Sequence, residues 1–170
     1  MGDLHVEVLG RQHRGLVRGF ENQHPALVEY LQRYAIRHAE KDLLARTYAA
    51  IDGDRIAGYF SLTTVSIDRS SAGDLPALAR LPRFPIPGVL LARLAVDRRA
   101  QGQGLGRYLF EEALGITLTL ARTGPVAFRL LVTDPIDSDA ERFYSRLGLV
   151  RLASAAPRRM VLDLGPLVGR

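Results

Sequence analysis

Six consecutive residues just past the middle of the chain carry the clearest chemistry: Gln101, Gly102, Gln103, Gly104, Leu105 and Gly106. They follow an apolar strand predicted over residues 89–96 and lead into a helix predicted over residues 104–121. Glycines allow backbone conformations that side chains forbid and let a ligand approach the backbone closely. The first N–H groups of a helix lack intrahelical acceptors and, with the helix dipole, attract anions. The segment therefore predicts a site for a pyrophosphate group, with positive charge nearby from Arg98, Arg99 and Arg107.

Two other phosphate-binding motifs share this layout, and the sequence fits neither. A dinucleotide-binding fingerprint lies early in its domain and has an acidic residue about 20 residues further on. Here residues 119–124 contain no acid. A Walker A loop requires Gly-Lys-Ser or Gly-Lys-Thr, which does not follow the turn. A tight turn without a ligand is the remaining alternative.

The elements that must position this turn alternate between strands and helices. Hydrophobic periodicity predicts seven strands, over residues 4–8, 44–51, 55–67, 89–96, 126–132, 149–152 and 159–164. It predicts helices over residues 24–40, 104–121 and 138–147, with one short helical turn at 75–81 in a proline-rich loop. This order predicts a mixed α/β fold and a single domain over residues 1–170.

The overall composition excludes several classes of function. The chain of 170 residues has no cysteine, so it has no disulfides, Cys-ligated metal or thiol nucleophile, and we expect no metal site. It has no transmembrane run and no signal peptide, which predicts a cytoplasmic protein with no membrane partner. The net charge of +5 suits an acidic partner such as nucleic acid. Lys41 is the only lysine, so an arginine bias set by genomic base composition explains the charge equally well.

Two motifs resemble those of the GNAT superfamily of N-acetyltransferases. The glycine-rich turn is similar to the superfamily's Q/R-x-x-G-x-G/A signature, and residues 93–97 resemble its cofactor strand. Downstream, residues 137–149 resemble its N-x-x-A-x-x-F-Y-x-x-x-G-F element. Asp137 stands where Asn is usual and can cap the helix instead, as can Ser138. Leu149 replaces the usual Phe, which implies local repacking.

The resemblance implies a single GNAT-like domain with a central mixed twisted sheet of six to seven strands flanked by helices. In that fold, the strands at 89–96 and 126–132 splay apart to admit acetyl-CoA. Tyr144 matches the general-acid tyrosine that protonates the departing thiolate. The expected cofactor-binding residues are Leu94, Ala95, Val96, Gln101, Gly102, Gln103, Gly104, Leu105, Gly106, Arg107 and Phe143.

Several roles stay open within this interpretation. A core tyrosine at a helix end is the alternative for Tyr144. The backbone N–H of Leu94 could polarise the thioester carbonyl. No general base is identified, and Asp97 is expected to cap the turn. Arg93, a charge inside an apolar strand, either contacts substrate or lies on the exposed face.

A narrower resemblance links the chain to the GNAT toxins of bacterial toxin–antitoxin systems. Phe20 and residues 27–31 are similar to their N-terminal element, and residues 46–49, 58–62, 85–87 and 91–97 extend the match. This implies an aminoacyl-tRNA amine as acceptor and an antitoxin protein as partner; a homodimer is also expected. The toxins have the motif Phe-Asp/Asn-Cys-Gly at this position, whereas here Phe20 is followed by Glu21-Asn22-Gln23. A small-molecule or peptide amine therefore remains an alternative acceptor. A non-catalytic acyl-CoA-binding module is the second alternative, which the presence of Tyr144 disfavours.

Overall fold

The computed structural model describes residues 3–72, 75–152 and 158–169, in which seven strands form one mixed sheet. The strands are β1 (His5–Val8), β2 (Arg46–Asp52), β3 (Arg55–Ile67), β4 (Ile86–Val96), β5 (Leu130–Thr133), β6 (Val150–Arg151) and β7 (Met160–Asp163), in the spatial order β1-β2-β3-β4-β5-β7-β6. The helices are α1 (Arg14–Val17), α2 (Pro25–Glu29), α3 (Ala35–Glu40), α4 (Pro76–Ala79), α5 (Leu105–Thr123), α6 (Ser138–Arg146) and α7 (Gly165–Val168). The prediction of a mixed α/β fold with six to seven strands is confirmed.

Strand pairing is mostly antiparallel. β1 with β2, β2 with β3, β5 with β7 and β6 with β7 all run in opposite directions. β4 and β5 are parallel, from Gly88 beside Leu130 to Leu91 beside Thr133. β4 then continues to Val96, the strand end from which the glycine-rich turn departs.

The strand predicted over residues 126–132 was placed too early, because β5 begins only at Leu130. Its parallel neighbour explains the late start: β4 is preceded by Pro85 and contains Pro87, and proline has no N–H to donate to a ladder. The Arg129 N–H still reaches the Pro87 carbonyl at 2.9 Å. Val126, whose side chain is 69% exposed, lies outside the sheet.

The helical region at 24–40 is confirmed in extent and modified in detail. α2 and α3 are joined by a π-helical turn over Tyr30–Tyr34, so the backbone is helical from Pro25 to Glu40. The turn at Arg11–His13 and helix α1 were not predicted, because the glycines around them are poor helix formers. Within the residues that the structure describes, no helix is long and apolar enough to cross a lipid bilayer.

The chain divides into two compact units, and β3, β4 and α5 contribute residues to both. Unit one comprises the described residues up to Thr63 together with Ala92–Leu114. Side chains from α1, α2, α3 and the strands form its core, with bulky members at Phe20, Tyr30, Leu31 and Tyr59.

Unit two comprises Thr64–Leu91 and the described residues from Gly115 onward. Its core is aliphatic and gathers residues of β3, α4, β4, β5 and β7: Ile67, Leu78, Ile86, Leu130, Val132, Leu152 and Val161. Two bidentate ion pairs, Arg129 with Asp163 and Arg159 with Asp134, bind its β5 and β7 ends together.

Gly58 on β3 tests how tightly unit one is packed. A Cβ at this position would lie 2.7 Å from Leu109 Cδ1 and 3.0 Å from the Ala95 carbonyl oxygen. We expect Gly58→Ala to lower the free energy of unfolding by about 1–3 kcal/mol, the usual cost of overpacking. Urea denaturation measures this change.

Gly115→Ala is the matched control, since a Cβ there meets nothing within 4 Å and the residue lies inside α5. Alanine should raise the free energy of unfolding at this position by about 0.4–1 kcal/mol. Equal effects of the two substitutions would show that β3 is not closely packed at Gly58.

Candidate active site

The glycine-rich turn adopts a backbone conformation that its sequence requires. Gly102 and Gly104 have φ values of 75° and 79°, in the left-handed region that favours glycine. A Cβ at either position would meet nothing within 4 Å, so the backbone here is open to a ligand. A cradle of this kind fits the pyrophosphate of a coenzyme.

Helix α5 begins directly after the turn and supplies the donors. The N–H of Tyr108 makes the first intrahelical bond, to the Gly104 carbonyl at 3.2 Å. The N–H groups of Leu105, Gly106 and Arg107 precede it at the positive end of a 19-residue helix. These three donors can bind phosphate oxygens.

Asp97 anchors the other end of the turn, and its expected role as a cap is confirmed. Its carboxylate is 0% exposed and caps a short 3-10 turn over Arg98–Ala100. Oδ1 accepts from the Arg99 N–H at 3.0 Å and from Arg99 Nε at 2.8 Å. Oδ2 accepts from the Glu21 N–H at 3.0 Å and from Arg99 Nη2 at 2.9 Å.

The charge on Asp97 is retained in spite of its burial. Burial by itself raises the pKa of Asp97, but the hydrogen bonds from Arg99 and from the Glu21 N–H outweigh it, and the pKa ends below its ordinary value. The same pair raises the pKa of Arg99. The turn is therefore held by a fully ionised pair at any physiological pH.

Residues 19–23, which the sequence marked only as a departure from the toxin motif, are hydrogen-bonded to this turn along their length. Arg99 Nη2 donates to the Gly19 carbonyl at 2.6 Å, and the Arg98 N–H donates to the Glu21 carbonyl at 2.8 Å. Asn22 Nδ2 donates to the Val96 carbonyl at 2.8 Å. Gln101 Nε2 contacts Gln23 Oε1 at 2.8 Å and the Val96 carbonyl at 3.3 Å. Residues that depart from the toxin motif thus have a structural role here.

These contacts change the expected charge distribution around the turn. The Arg99 side chain donates hydrogen bonds to Asp97 and to the Gly19 carbonyl, and Arg107 donates to Glu111 at 2.8 Å on the surface of α5. Arg98 lines a cavity of about 480 Å³ beside α2, together with residues such as Phe20 and Asn22. The donors that face the open turn are therefore backbone N–H groups more than arginine side chains.

Tyr144 lies in unit two, near the end of α6. Asp137 caps this helix by accepting from the Ala140 N–H at 2.8 Å, as predicted. The Tyr144 side chain is 6% exposed and packs edge-on against Phe143, with ring centroids 5.0 Å apart. The predicted residues thus lie in two sets: Leu94, Ala95, Val96 and the turn in unit one, and Phe143 with Tyr144 in unit two.

The surroundings of Tyr144 favour its protonated form. Burial raises the pKa of Tyr144 to about 12, while a hydrogen bond with the Thr133 side chain acts in the opposite direction. Thr133 is the last residue of β5, and its hydroxyl also donates to the Leu91 carbonyl at 3.0 Å. The phenol therefore keeps its proton at neutral pH, as an ordinary tyrosine does, and retains it to a higher pH.

Arg93 is half-buried, lying neither on a fully exposed face nor in the core. Its guanidinium carbon lies 3.7 Å from the ring centroid of Tyr30 on the π-helical turn. Its neighbours on β4, Leu94 and Val96, are half-buried, whereas Ala95 is buried.

Comparison with known proteins identifies the family. Residues 44–150 match the model of the acetyltransferase (GNAT) domain. The chain is also similar to the tRNA-acetylating toxin of Mycobacterium tuberculosis, with 30% identity over 131 residues that cover 75% of this chain and 74% of the toxin.

Solved structures show the same fold at lower sequence identity. AtaT complexed with acetyl-methionyl-tRNAfMet matches with a TM-score of 0.87 and 23% identity, over 97% of each chain. A mutant AtaT toxin bound to the C-terminus of the antitoxin AtaR and acetyl-CoA matches with a TM-score of 0.77 and 22% identity, over 97% of this chain and 96% of that one. This chain belongs to the GNAT family of acetyl-CoA-dependent N-acetyltransferases.

Proposed function

We propose that this protein transfers an acetyl group from acetyl-CoA to the α-amino group of an aminoacyl-tRNA. The observation that carries the proposal is the 30% identity with a tRNA-acetylating toxin over three quarters of both chains. The fold shared with AtaT, which has been solved with an acetylated methionyl-tRNA, supports it.

In this proposal the glycine-rich turn and the end of β4 hold the coenzyme. The N–H groups of Leu105, Gly106 and Arg107 bind the pyrophosphate, and the open φ-positive glycines let it approach. The other proposed contacts come from Leu94, Ala95, Val96, Gln101, Gln103 and Phe143. Bound acetyl-CoA supplies the acetyl group as a thioester, and the Leu94 N–H is the proposed donor to its carbonyl oxygen.

Tyr144 is the proposed general acid. Its raised pKa keeps the phenolic proton in place at neutral pH, so the residue can protonate a departing thiolate. A raised pKa also makes the phenol a weaker acid than an ordinary tyrosine.

A basic groove in unit one supports a polyanionic acceptor. It encloses about 400 Å³ and is lined by six cationic side chains and one carboxylate, that of Glu40. Arg11 pairs with Glu40, but Arg14, Arg18 and Lys41 have no ion pair among the residues that the structure describes. Unpaired cations of this kind suit the phosphate backbone of a tRNA.

Three further parts belong to the proposal. The neighbour solved with the C-terminus of AtaR supports pairing of this chain with an antitoxin. An aminoacyl-tRNA substrate would make the protein cytoplasmic. A single catalytic domain over residues 1–170 and a homodimer stay predictions.

Acetylation of charged tRNA tests the proposed function directly. The protein is incubated with radiolabelled acetyl-CoA and aminoacyl-tRNA, and the ester is then hydrolysed to identify the labelled product. We expect an N-acetylated amino acid from charged tRNA and no label on uncharged tRNA or free amino acid. Acetylation of small amines or lysine peptides without any product from charged tRNA would contradict the proposal.

Tyr144→Phe tests the general acid. Removal of the phenolic proton should lower kcat by about 100-fold or more, since general acid catalysis contributes at least that much. The KM for acetyl-CoA should change less than about twofold, because the ring is kept. Tyr48→Phe, which removes a phenol from a ring stacked on Phe60, is the control and should retain full kcat. A large rise in KM with unchanged kcat would make Tyr144 structural.

The pH dependence of kcat provides a separate test of the same residue. A raised pKa means that Tyr144 keeps its proton as the pH increases, so it should remain an acid at about pH 10, where an ordinary tyrosine is half ionised. We expect no loss of kcat between about pH 8 and pH 10. A decline over this range that disappears in Tyr144→Phe would show that the phenol ionises normally.

A further inference from the structure

Arg93 is a charged residue in an apolar strand, and its position needs an explanation. It lies on β4 between Ala92 and Leu94, directly before the proposed site of the thioester. Its side chain is half-buried, and the guanidinium lies 3.7 Å from the centre of the Tyr30 ring. At this distance the ring attracts the cation and supports one face of the planar group.

Tyr30 is a fixed support. It is 3% exposed, and its hydroxyl contacts Thr47 Oγ1 at 3.3 Å, which in turn contacts Ser61 Oγ at 2.7 Å. Its ring also stacks on Tyr59, with centroids 6.2 Å apart. Tyr30 begins the π-helical turn, a feature that is common at functional sites. The guanidinium is therefore held against a surface that cannot easily move.

Two other half-buried arginines show what Arg93 lacks. Arg129 and Arg159 each meet an aspartate through two hydrogen bonds, to Asp163 and Asp134. Among residues 3–72, 75–152 and 158–169, no carboxylate and no carbonyl pairs with Arg93. Within those described ranges, its five N–H donors therefore have no carboxylate or carbonyl acceptor. The Tyr30 ring faces the guanidinium but accepts no charge-assisted hydrogen bond as a carboxylate would, and an anionic ligand would supply one.

We propose that Arg93 binds a backbone phosphate near the aminoacylated end of the acceptor, so that the enzyme selects amines carried on a nucleotide over simple amines. This inference rests on the proposed function. In an aminoacyl-tRNA the carboxyl of the amino acid is esterified, so the anions closest to the amine are the phosphodiesters of the terminal nucleotides. The planar fork of a guanidinium is suited to two phosphate oxygens.

Two probes that differ by one phosphodiester test the inference. Puromycin presents an α-amino group on a nucleoside without phosphate, and cytidylyl-puromycin adds a single phosphodiester. The wild-type enzyme should acetylate the second with a kcat/KM about tenfold higher or more, the usual effect of a hydrogen-bonded charge pair. In Arg93→Gln the ratio of the two kcat/KM values should fall to about one. Arg93→Lys, which keeps the positive charge and loses the planar guanidinium, should retain part of the preference for cytidylyl-puromycin.

Tyr30 is a positioning residue in this scheme. Its two variants distinguish loss of the ring that supports the Arg93 guanidinium from loss of the hydroxyl alone. Tyr30→Phe keeps the ring and should preserve the preference, whereas Tyr30→Leu removes the ring and should reduce it through KM for the phosphodiester probe. With aminoacyl-tRNA, the slope of log KM against log salt concentration should fall by about one in Arg93→Gln. The KM for acetyl-CoA should stay at its wild-type value in all four variants, and the melting temperature in the two Arg93 variants, whereas Tyr30→Leu should lower the melting temperature because Tyr30 belongs to the core.

The outcomes distinguish the two levels of the proposal. If Arg93→Gln lowers kcat/KM equally for both probes and leaves the salt slope unchanged, Arg93 does not bind phosphate and the inference is overturned. A raised KM for acetyl-CoA would likewise overturn it, since Arg93 would then serve the coenzyme. If the wild-type enzyme acetylates neither probe nor charged tRNA, the proposed function itself fails.

Discussion

The buried carboxylate of Asp97 is the interaction on which the candidate coenzyme site depends. Asp97 directly follows the last residue of β4 and caps the 3-10 turn that comes next. Its carboxylate accepts hydrogen bonds from Arg99 and from the backbone N–H of Glu21. A buried charge is tolerated only when all its acceptor positions are used, so these donors and Asp97 require one another. The path of the chain between Val96 and the glycine-rich turn is fixed as a result, and with it the direction in which the first N–H groups of α5 point.

Local patterns in the sequence were enough for most of the fold. A run rich in β-branched and aromatic residues after the turn at Asp52-Gly53-Asp54 predicted β3 over the residues 55–67 that it occupies. The strand predicted over residues 126–132 was placed too early, because β5 begins only at Leu130. Its start is set by prolines in and before the neighbouring strand, about 40 residues away in sequence. The π-helical turn at Tyr30–Tyr34 was not predicted, because hydrophobic spacing in the sequence does not distinguish it from the α-helices on either side.

The sequence motifs of the site could be predicted, but the hydrogen bonds that connect them could not. Spacing of glycines predicted the turn, and Gly102 and Gly104 do adopt left-handed conformations. The contacts of residues 19–23 with the turn join positions more than 70 residues apart, which no local pattern reveals. Arg99 was expected to attract the ligand and instead neutralises Asp97. Counting cations near a motif therefore overestimates the charge that remains for a ligand.

Acetyl-CoA affinity of Asp97→Asn, measured by isothermal titration calorimetry, tests most directly whether this network builds the coenzyme site. The amide cannot accept every bond that the carboxylate accepts, so we predict a Kd raised about tenfold or more in a variant that remains folded by circular dichroism. Arg99→Gln should weaken binding in the same direction, and Asp139→Asn, which removes a carboxylate exposed on α6, should leave the Kd unchanged. Folded Asp97→Asn and Arg99→Gln proteins that bind acetyl-CoA with wild-type affinity would contradict the account.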